Sequence, residues 1–271
     1  MDQSSSTSLP SRLERTLVSP RGRAEALALW IVFSHAHDSF NISPVLAVTS
    51  PAPECGKTTL LTFLYGTTAR PLSASNLTAS IVFRAVEKWK PTLLIDEADT
   101  FLGDKDDLRG VLNSGHNRGS AYVLRSAGED FEPRQFCSWA PKAIALIGKL
   151  PPKLSSRSIH VRLRRKAQSE RVTELRADRL QHLAPLSQKA ARFAADNTIR
   201  LHATEPGLPD ELYGRTADNW RPLIAIADAA GGKWPERARK IAIELSGRPN
   251  EEVAAKAASS PACMSSVSAC R

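Results

Sequence analysis

The chain has 271 residues, enough for one large or two modest domains with a hydrophobic core. Its hydrophobic share of 42% and charged share of 24% are those of an ordinary globular protein, and no apolar run approaches the roughly 18 residues of a membrane span. This excludes a membrane-spanning class. The formal net charge of +9 favours a polyanionic partner such as nucleic acid.

The chain begins with a polar segment that lacks the apolar core of a signal peptide. Residues 1–20 are rich in Ser, Thr and Pro, which predicts disorder, and residues 23–38 predict a helix beside a sheet. The cysteines form no Cys-x-x-Cys pair, so we expect reduced thiols and a cytoplasmic location. They are Cys55, Cys137, Cys263 and Cys270.

Residues 45–59 read Val-Leu-Ala-Val-Thr-Ser-Pro-Ala-Pro-Glu-Cys-Gly-Lys-Thr-Thr and predict a strand, a loop and a helix start. This is the layout of a phosphate-binding loop, in which backbone N–H groups and a helix N-terminus hold an anion. Lys57 would reach the terminal phosphates and the Thr58 hydroxyl would bind Mg²⁺. Pro51 stands where the motif has its first glycine, so it stiffens the loop entry. The predicted cradle is Glu54, Cys55, Gly56, Lys57, Thr58 and Thr59.

The segment Pro91-Thr-Leu-Leu-Ile-Asp-Glu-Ala-Asp-Thr-Phe-Leu102 places acids directly after a short buried strand. In an α/β fold those acids lie at the sheet edge where ligands bind. Asp96 would hold Mg²⁺, and Glu97 would polarise the attacking water, with Asp99 the next candidate for that role. The spacing from residues 56–59 fits one intervening strand and helix.

The remaining elements follow in order. Residues 71–76 predict a strand, the segment up to Trp89 a helix, and 104–113 another helix. Residues 121–125 and 134–139 flank a turn and predict a β-hairpin, with buried strands at 142–148 and 158–163. Beyond residue 166 the pattern predicts helices over 168–200 and 209–247, and a flexible tail over 251–271. The basic residues between 157 and 192 have two interpretations, a solvated helix face or a nucleic-acid surface.

Taken together, these motifs resemble an AAA+ ATPase over roughly residues 40–247. Several of them look more narrowly like an uncharacterised ATP-binding domain of bacterial and phage-derived proteins, often found beside primase-type domains on mobile elements. The motifs are Thr49-Ser-Pro, Cys-Gly-Lys-Thr-Thr-Leu-Leu, Pro-Thr-Leu-Leu-Ile-Asp-Glu-Ala-Asp-Thr-Phe, Leu-Asn-Ser-Gly-His and Asp218-Asn-Trp-Arg-Pro-Leu.

The resemblance implies roles for residues outside the two motifs. Arg157, in Ser-Ser-Arg, matches an arginine finger that acts on the ATP of a neighbouring subunit, which implies a ring. Lys149 stands where a polar first sensor is usual, and Arg221 is the choice for a second sensor, with Arg215 the runner-up. The hairpin is similar to one that some AAA+ helicases point at DNA, although a plain structural hairpin fits the residues equally well.

The sequence therefore predicts an α/β, AAA+-like P-loop fold. A mainly parallel five-stranded sheet with an inserted hairpin forms an ATPase core over 21–166, and an all-α lid covers 167–250. The expected function is ATP- and Mg²⁺-dependent remodelling or unwinding of DNA by a homo-oligomer. The resemblance also implies primase-type domains or proteins as partners and replication of a mobile element as the expected setting. The alternatives are a nucleotide-gated switch with slow turnover and a small-molecule kinase.

Overall fold

A computed structural model describes residues 9–16, 22–103, 105–127, 129–171, 173 and 175–247. The helices are α1 Leu9–Thr16, α2 Arg23–Ala36, α3 Lys57–Thr67, α4 Ala79–Trp89, α5 Asp106–Ser114, α6 Pro152–Ser155, α7 Ala184–Ala203, α8 Gly214–Ala230 and α9 Trp234–Ser246. The strands are β1 Val45–Ser50, β2 Pro71–Ala74, β3 Thr92–Ile95, β4 Tyr122–Ala127, β5 Glu132–Cys137, β6 Lys142–Ile147 and β7 Ser158–Arg162.

Five strands form one parallel sheet in the order β2-β3-β6-β1-β7. Every residue of β1 and β3 is buried, as expected of parallel strands covered on both faces. The predicted α/β class and mainly parallel five-stranded sheet are therefore confirmed. β4 and β5 pair separately as an antiparallel hairpin.

Side chains alternate between the two faces of the sheet, and each face has its own hydrophobic cluster. Leu46 and Val48 of β1 pack in the cluster that contains α2, α3 and the C-terminal helices. Val45 and Ala47 point the other way, into the cluster of α4, α5 and α6. The helix after β1 thus covers one face, and the helix after β6, the adjacent strand, covers the other. In open α/β sheets, ligands bind in the crevice that such divergent connections leave at the carboxyl ends of the strands.

The C-terminal helices differ from the predicted ones in two places. Residues 175–180 are not helical, and α7 begins only at Ala184, with Pro185 in its first turn, where proline is tolerated. The predicted helix over 209–247 is two helices, because Gly231 adopts a φ of +68° and α9 begins at Trp234 with Pro235 in its first turn.

The predicted boundary between core and helical lid is not marked by a break in packing. Leu186 of α7, Trp220 of α8 and Ala242 of α9 belong to the same hydrophobic cluster as α2 and one face of the sheet. No helix within the described ranges is long and apolar enough to cross a bilayer.

The N-terminal segment contains a helix where the sequence predicted disorder. In α1, Leu9 and Leu13 are one turn apart, so both lie on one face, and Leu13 is buried in the core cluster. The Ser-rich composition hid this short amphipathic stretch. The tail predicted over 251–271 lies outside the described residues.

Candidate functional site

The β1–α3 loop lies at the carboxyl edge of the sheet. Gly56 adopts a φ of +84°, which favours glycine, and α3 starts at the next residue. Lys57 Nζ donates to Ser50 Oγ at 2.9 Å, so the ammonium group is folded back over the loop. The first N–H groups of α3 have no partner within the helix, as at any helix N-terminus, and together they favour an anion.

The acid strand ends beside this helix start. Thr58 Oγ1 donates to Asp96 Oδ2 at 3.2 Å, although 38 residues separate the two in sequence. Asp96 Oδ1 also accepts the backbone N–H of Glu97 at 2.8 Å, which fixes the orientation of the carboxylate. β6 lies between β1 and β3, and the two loops meet above its end.

The two acids after Asp96 differ in their surroundings. Glu97 adopts a φ of +52°, and its side chain is exposed at the sheet edge. Asp99 Oδ1 accepts the backbone N–H of Ile147 at 3.0 Å and so joins the turn after β3 to the end of β6. Both side chains are exposed, so what separates them is the bond to Ile147. In the part of the chain that the structure describes, the Glu97 carboxylate accepts no comparable bond.

The end of β6 completes this edge. Gly148 donates its N–H to Ser50 O at 3.0 Å, and Lys149 follows with an exposed side chain. Ser50, Gly148, Lys149 and Arg162 line part of a cleft of about 580 Å³. Lys149 therefore lies at the same edge as Lys57, as predicted for a first sensor position, and its role there stays a prediction.

Arg165, one of the basic residues noted between 157 and 192, also lies at this edge. Its guanidinium contacts Glu54 Oε2 at 3.2 Å, so the segment after β7 reaches across to the β1–α3 loop. Both side chains are exposed, so this ion pair contributes little stability and can exchange partners. The two residues are 111 positions apart in sequence, so no local pattern indicated the contact.

Arg157 lies at the opposite edge of the sheet. The N–H of Val45, the first residue of β1, donates to Arg157 O at 3.0 Å, whereas the candidate phosphate loop follows Ser50 at the other end of that strand. At ~3.3 Å per residue the two ends are about 17 Å apart. Arg157 Nη1 donates to Lys153 O at 2.8 Å, and partial burial together with the nearby Arg215 lowers the pKa of Arg157.

The two candidate second sensors belong to α8, whose start is fixed at this same amino edge. Asn219 Nδ2 donates to Ser156 O at 3.1 Å, and Arg215 Nη1 donates to Ser156 Oγ at 3.0 Å. Arg221 is paired with Glu205 at 2.9 Å. The structure therefore brings Lys57, Thr58, Asp96 and Glu97 together and places Arg157, Arg215 and Arg221 elsewhere in the chain's fold.

The hairpin arginines face inward. Arg125 pairs with Asp107 and lies over the Phe83 ring, and Arg134 pairs with Glu87 at 3.1 Å over the Phe136 ring. These contacts attach the hairpin to α4 and α5. The arrangement fits the structural interpretation of the hairpin better than the DNA-contacting one.

The basic run after β7 is partly neutralised. Arg164 pairs with Glu170, whose pKa falls to about 2 because this guanidinium and the Ala167 N–H donate to it. Arg176 pairs with Asp178 at 2.8 Å. In the described ranges, no group of three or more His, Cys, Asp and Glu side chains could hold a metal by itself. Cys55 and Cys137 are free thiols, and the other two cysteines lie outside the described residues.

Comparisons with known proteins match only parts of the chain. Residues 162–260 match the model of a family described as "Protein of unknown function (DUF3631)", which covers β7's last residue and the C-terminal helices. Over 85 residues the chain is 42% identical to the "Uncharacterized 28.9 kDa protein in xis 5'region" of Saccharopolyspora erythraea, a match that spans 31% of each chain. Neither description names an activity, and the family match does not include the carboxyl-edge residues of β1 and β3.

Proposed function

We propose that the chain is a P-loop ATPase that binds ATP with Mg²⁺ at the carboxyl edge of its sheet. The observation that carries the proposal is the 3.2 Å contact between Thr58 Oγ1 and Asp96 Oδ2, beside Lys57 and the helix N-terminus. A metal–triphosphate needs oxygen ligands for the metal ion, and an ammonium group and backbone N–H groups for the phosphates. This edge of the sheet supplies groups of each kind.

The residues present fit a Mg²⁺ ion that the protein and the nucleotide would bind together. Mg²⁺ usually takes one or two protein oxygens and keeps substrate phosphates and waters as its other ligands. Thr58 and Asp96 would supply those protein oxygens, and the ion would neutralise charge on the phosphates. A cluster of three acids is not required for this kind of site.

In the proposed reaction, the chain's own residues position the phosphates and polarise the attacking water. Lys57 leaves Ser50 to meet the terminal phosphates, while the N–H groups of α3 bind the phosphate oxygens. Glu97 accepts a proton from the attacking water as it adds to the terminal phosphorus, and the bond to the leaving oxygen breaks.

A stepwise experiment tests the nucleotide site first. Lys57→Ala should abolish binding of a fluorescent ATP analogue, because it removes the ammonium group from the loop. Lys189→Ala, which removes an exposed lysine from α7, is the matched control and should bind normally. Unchanged affinity in Lys57→Ala would remove the site from this loop.

We further propose that ATP hydrolysis drives remodelling or unwinding of DNA in the replication of a mobile element. The net charge of +9 and the resemblance to domains found beside primases support this. It predicts that single-stranded DNA stimulates the ATPase rate, with a stimulation that falls as salt rises.

A nucleotide-gated switch with slow turnover is the second candidate. It is favoured by one observation, that Arg125 and Arg134 of the hairpin are engaged with Asp107 and Glu87. It predicts that ATP changes the mass of the protein in solution while DNA leaves the hydrolysis rate unchanged. Measuring ATPase rate and mass together, with and without single-stranded DNA, separates the two.

A further inference from the structure

The outward side of the β4–β5 hairpin is apolar and uncovered. Alternate residues of β4 point away from α4, and of these Tyr122 is 46% exposed and Leu124 is 68% exposed. Their cross-strand partners carry no formal charge on this side, since Leu124 lies opposite Gln135 and Ser126 opposite Pro133. The inward side holds the arginines, so the outward side presents apolar surface without cations.

The hairpin ends in an exposed aromatic residue set among acids. Phe131 is 77% exposed, and Glu129, Asp130 and Glu132 around it are exposed as well. We call residues 129–132 the hairpin tip. A large exposed aromatic side chain is an effective anchor when a partner encloses it. The acids around it repel phosphates, so the partner should be an apolar pocket with cations beside it.

A groove with these properties lies at the far end of the sheet. It has a volume of about 570 Å³ between β7, α8 and α9, and its apolar lining includes Leu212, Trp220, Ile243 and Leu245. Arg215, Ser156 and the exposed acid Glu211 line it as well. Within the part of the chain that the structure describes, Arg215 forms no ion pair, and its guanidinium contacts the neutral Ser156 Oγ.

The tip and the groove belong to opposite ends of the strand order. The hairpin packs on α4, which joins β2 to β3 at one end, whereas the groove borders β7 at the other. One molecule therefore carries both halves of a contact that it cannot make with itself. Two different surfaces on opposite sides of a molecule give a head-to-tail contact, which closes into a ring or grows as a filament.

We propose that the hairpin tip of one copy docks into the groove of a second copy, with Phe131 enclosed by the apolar lining and the tip acids facing Arg215. The acids and the guanidinium fix the register of docking, and the aromatic side chain supplies most of the contact energy. This contact involves no nucleotide, so it holds or fails independently of the ATPase proposal.

Mass in solution tests the anchor. The full chain should associate as its concentration rises in light scattering without nucleotide. Phe131→Ser should raise the dissociation constant by about tenfold or more, as loss of an interface anchor does. Ile199→Ser is the matched control, because Ile199 on α7 is 87% exposed and lies on neither surface. It should associate like the unmodified chain.

A charge exchange tests the pairing itself. Chains with Arg215→Glu, and chains with both Asp130→Arg and Glu132→Arg, should each fail to associate, because the tip then faces a like charge at position 215. Mixed in equal amounts they should associate again, since each kind of tip then meets an opposite charge at position 215. Circular dichroism of each variant confirms that it is folded.

Three results would overturn the proposal. The first is a full chain that stays monomeric across the concentration series. The second is equal association of Phe131→Ser and Ile199→Ser, and the third is a charge-exchanged mixture that remains monomeric. If the tip binds nucleic acid instead, Phe131→Ser should bind DNA less tightly while it associates to the same extent as Ile199→Ser. That outcome would be an instance of the second result and would overturn the proposal.

Discussion

The backbone N–H of Ile147 donates to Asp99 Oδ1 at 3.0 Å and ties the turn after β3 to the end of β6. Glu97, two residues earlier, has an exposed side chain at the same edge. The two acids are close in sequence but differ in what holds them. Both side chains are exposed, but only the Asp99 carboxylate is tied to the end of β6, and the consequence of this difference can be measured.

Glu97→Gln should retain ATP binding and lose hydrolysis by about a hundredfold or more, because the amide keeps the shape but cannot accept a proton. Asp99→Asn is the matched variant. Its amide oxygen can still accept the Ile147 N–H, so we expect a loss of less than about tenfold. Phosphate release and binding of a fluorescent analogue measure both. A larger loss in Asp99→Asn would move the base to Asp99.

The Thr58–Asp96 contact leads to a prediction about magnesium. Thr58→Val keeps the shape of the side chain but removes the hydroxyl, so a higher Mg²⁺ concentration should be needed for half-maximal hydrolysis. Thr62→Val, one turn further along α3, is the control and should leave that concentration unchanged. If Thr58→Val responded to Mg²⁺ as the unmodified chain does, Thr58 would not be a ligand.

Lys142 is a buried lysine whose environment makes stability depend on pH. Its ammonium group, at the start of β6, donates to Ala140 O at 2.8 Å and to Gly115 O at 3.2 Å. Burial lowers the pKa of Lys142 to about 7, and the nearby Cys137 acts in the opposite direction. A Cβ on Gly115 would lie 2.2 Å from the backbone oxygen of Ser138 and 2.4 Å from Lys142 Nζ, so a larger residue does not fit here.

Proton linkage gives the direction in which the free energy of unfolding changes with pH. Between pH 7 and the unfolded value near 10.5, the unfolded chain holds a proton that the folded chain does not. The free energy of unfolding should therefore rise with pH in this window, by up to about 1.4 kcal/mol per pH unit from this group. Below pH 7 both states are protonated, and the full cost of burying the charge is present.

Lys142→Met should reduce that slope, because it removes the titrating group and keeps an unbranched side chain. Urea unfolding at several pH values between 7 and 10 measures it. Buried histidines such as His37, whose pKa burial lowers well below 6.5, change stability in the acidic range instead. An unchanged slope in Lys142→Met would show that the lysine is not the group responsible.

The sheet and the carboxyl-edge site could be predicted because their signals are local. β1 with its loop, and β3 with its acids, are each a short apolar run followed by residues of one chemical type. Parallel strands then place both ends at one edge, so Lys57, Asp96 and Glu97 come together without long-range information. Gly231 and Pro235 also marked the division between α8 and α9, although the prediction did not use them.

The position of α8 could not be predicted, because it depends on contacts between distant residues. His116 Nε2 lies 2.8 Å from Asn219 Oδ1, 103 residues away, and that contact holds the start of α8 at the amino edge. Arg221 follows Asn219 by two residues and is paired with Glu205 there. A helical pattern in the sequence predicts that a helix exists, but it does not predict at which edge of the sheet the helix starts. No local pattern therefore supported the second-sensor prediction.

The same contacts determine what Arg157 can do. Asn219 and Arg215 both donate to Ser156, so the turn that carries Arg157 is fixed to α8 at the amino edge. From there the guanidinium does not reach the Lys57 site of its own chain, since the length of β1 separates them. If Arg157 acts on ATP, it acts on the ATP of a neighbour.

Arg157→Ala should therefore bind ATP normally and hydrolyse it poorly in the assembled state. An arginine finger contributes on the order of 10³-fold or more to such reactions. Arg192→Ala, which removes an exposed arginine from α7, is the control and should hydrolyse ATP normally. Mass measurements on each variant confirm that assembly is intact before rates are compared.

Mixing inactive variants distinguishes a finger that acts on a neighbour from a residue that acts within its own chain. A Glu97→Gln chain keeps its arginine, and an Arg157→Ala chain keeps its base. In a mixed assembly, some interfaces place an intact Arg157 beside a site with an intact Glu97, so activity should rise above that of either variant alone. A role within one chain predicts no rescue at any ratio, because no chain then has both residues. Absence of rescue in assemblies of confirmed mass would mean that Arg157 stabilises the turn before β7 and takes no part in hydrolysis across an interface.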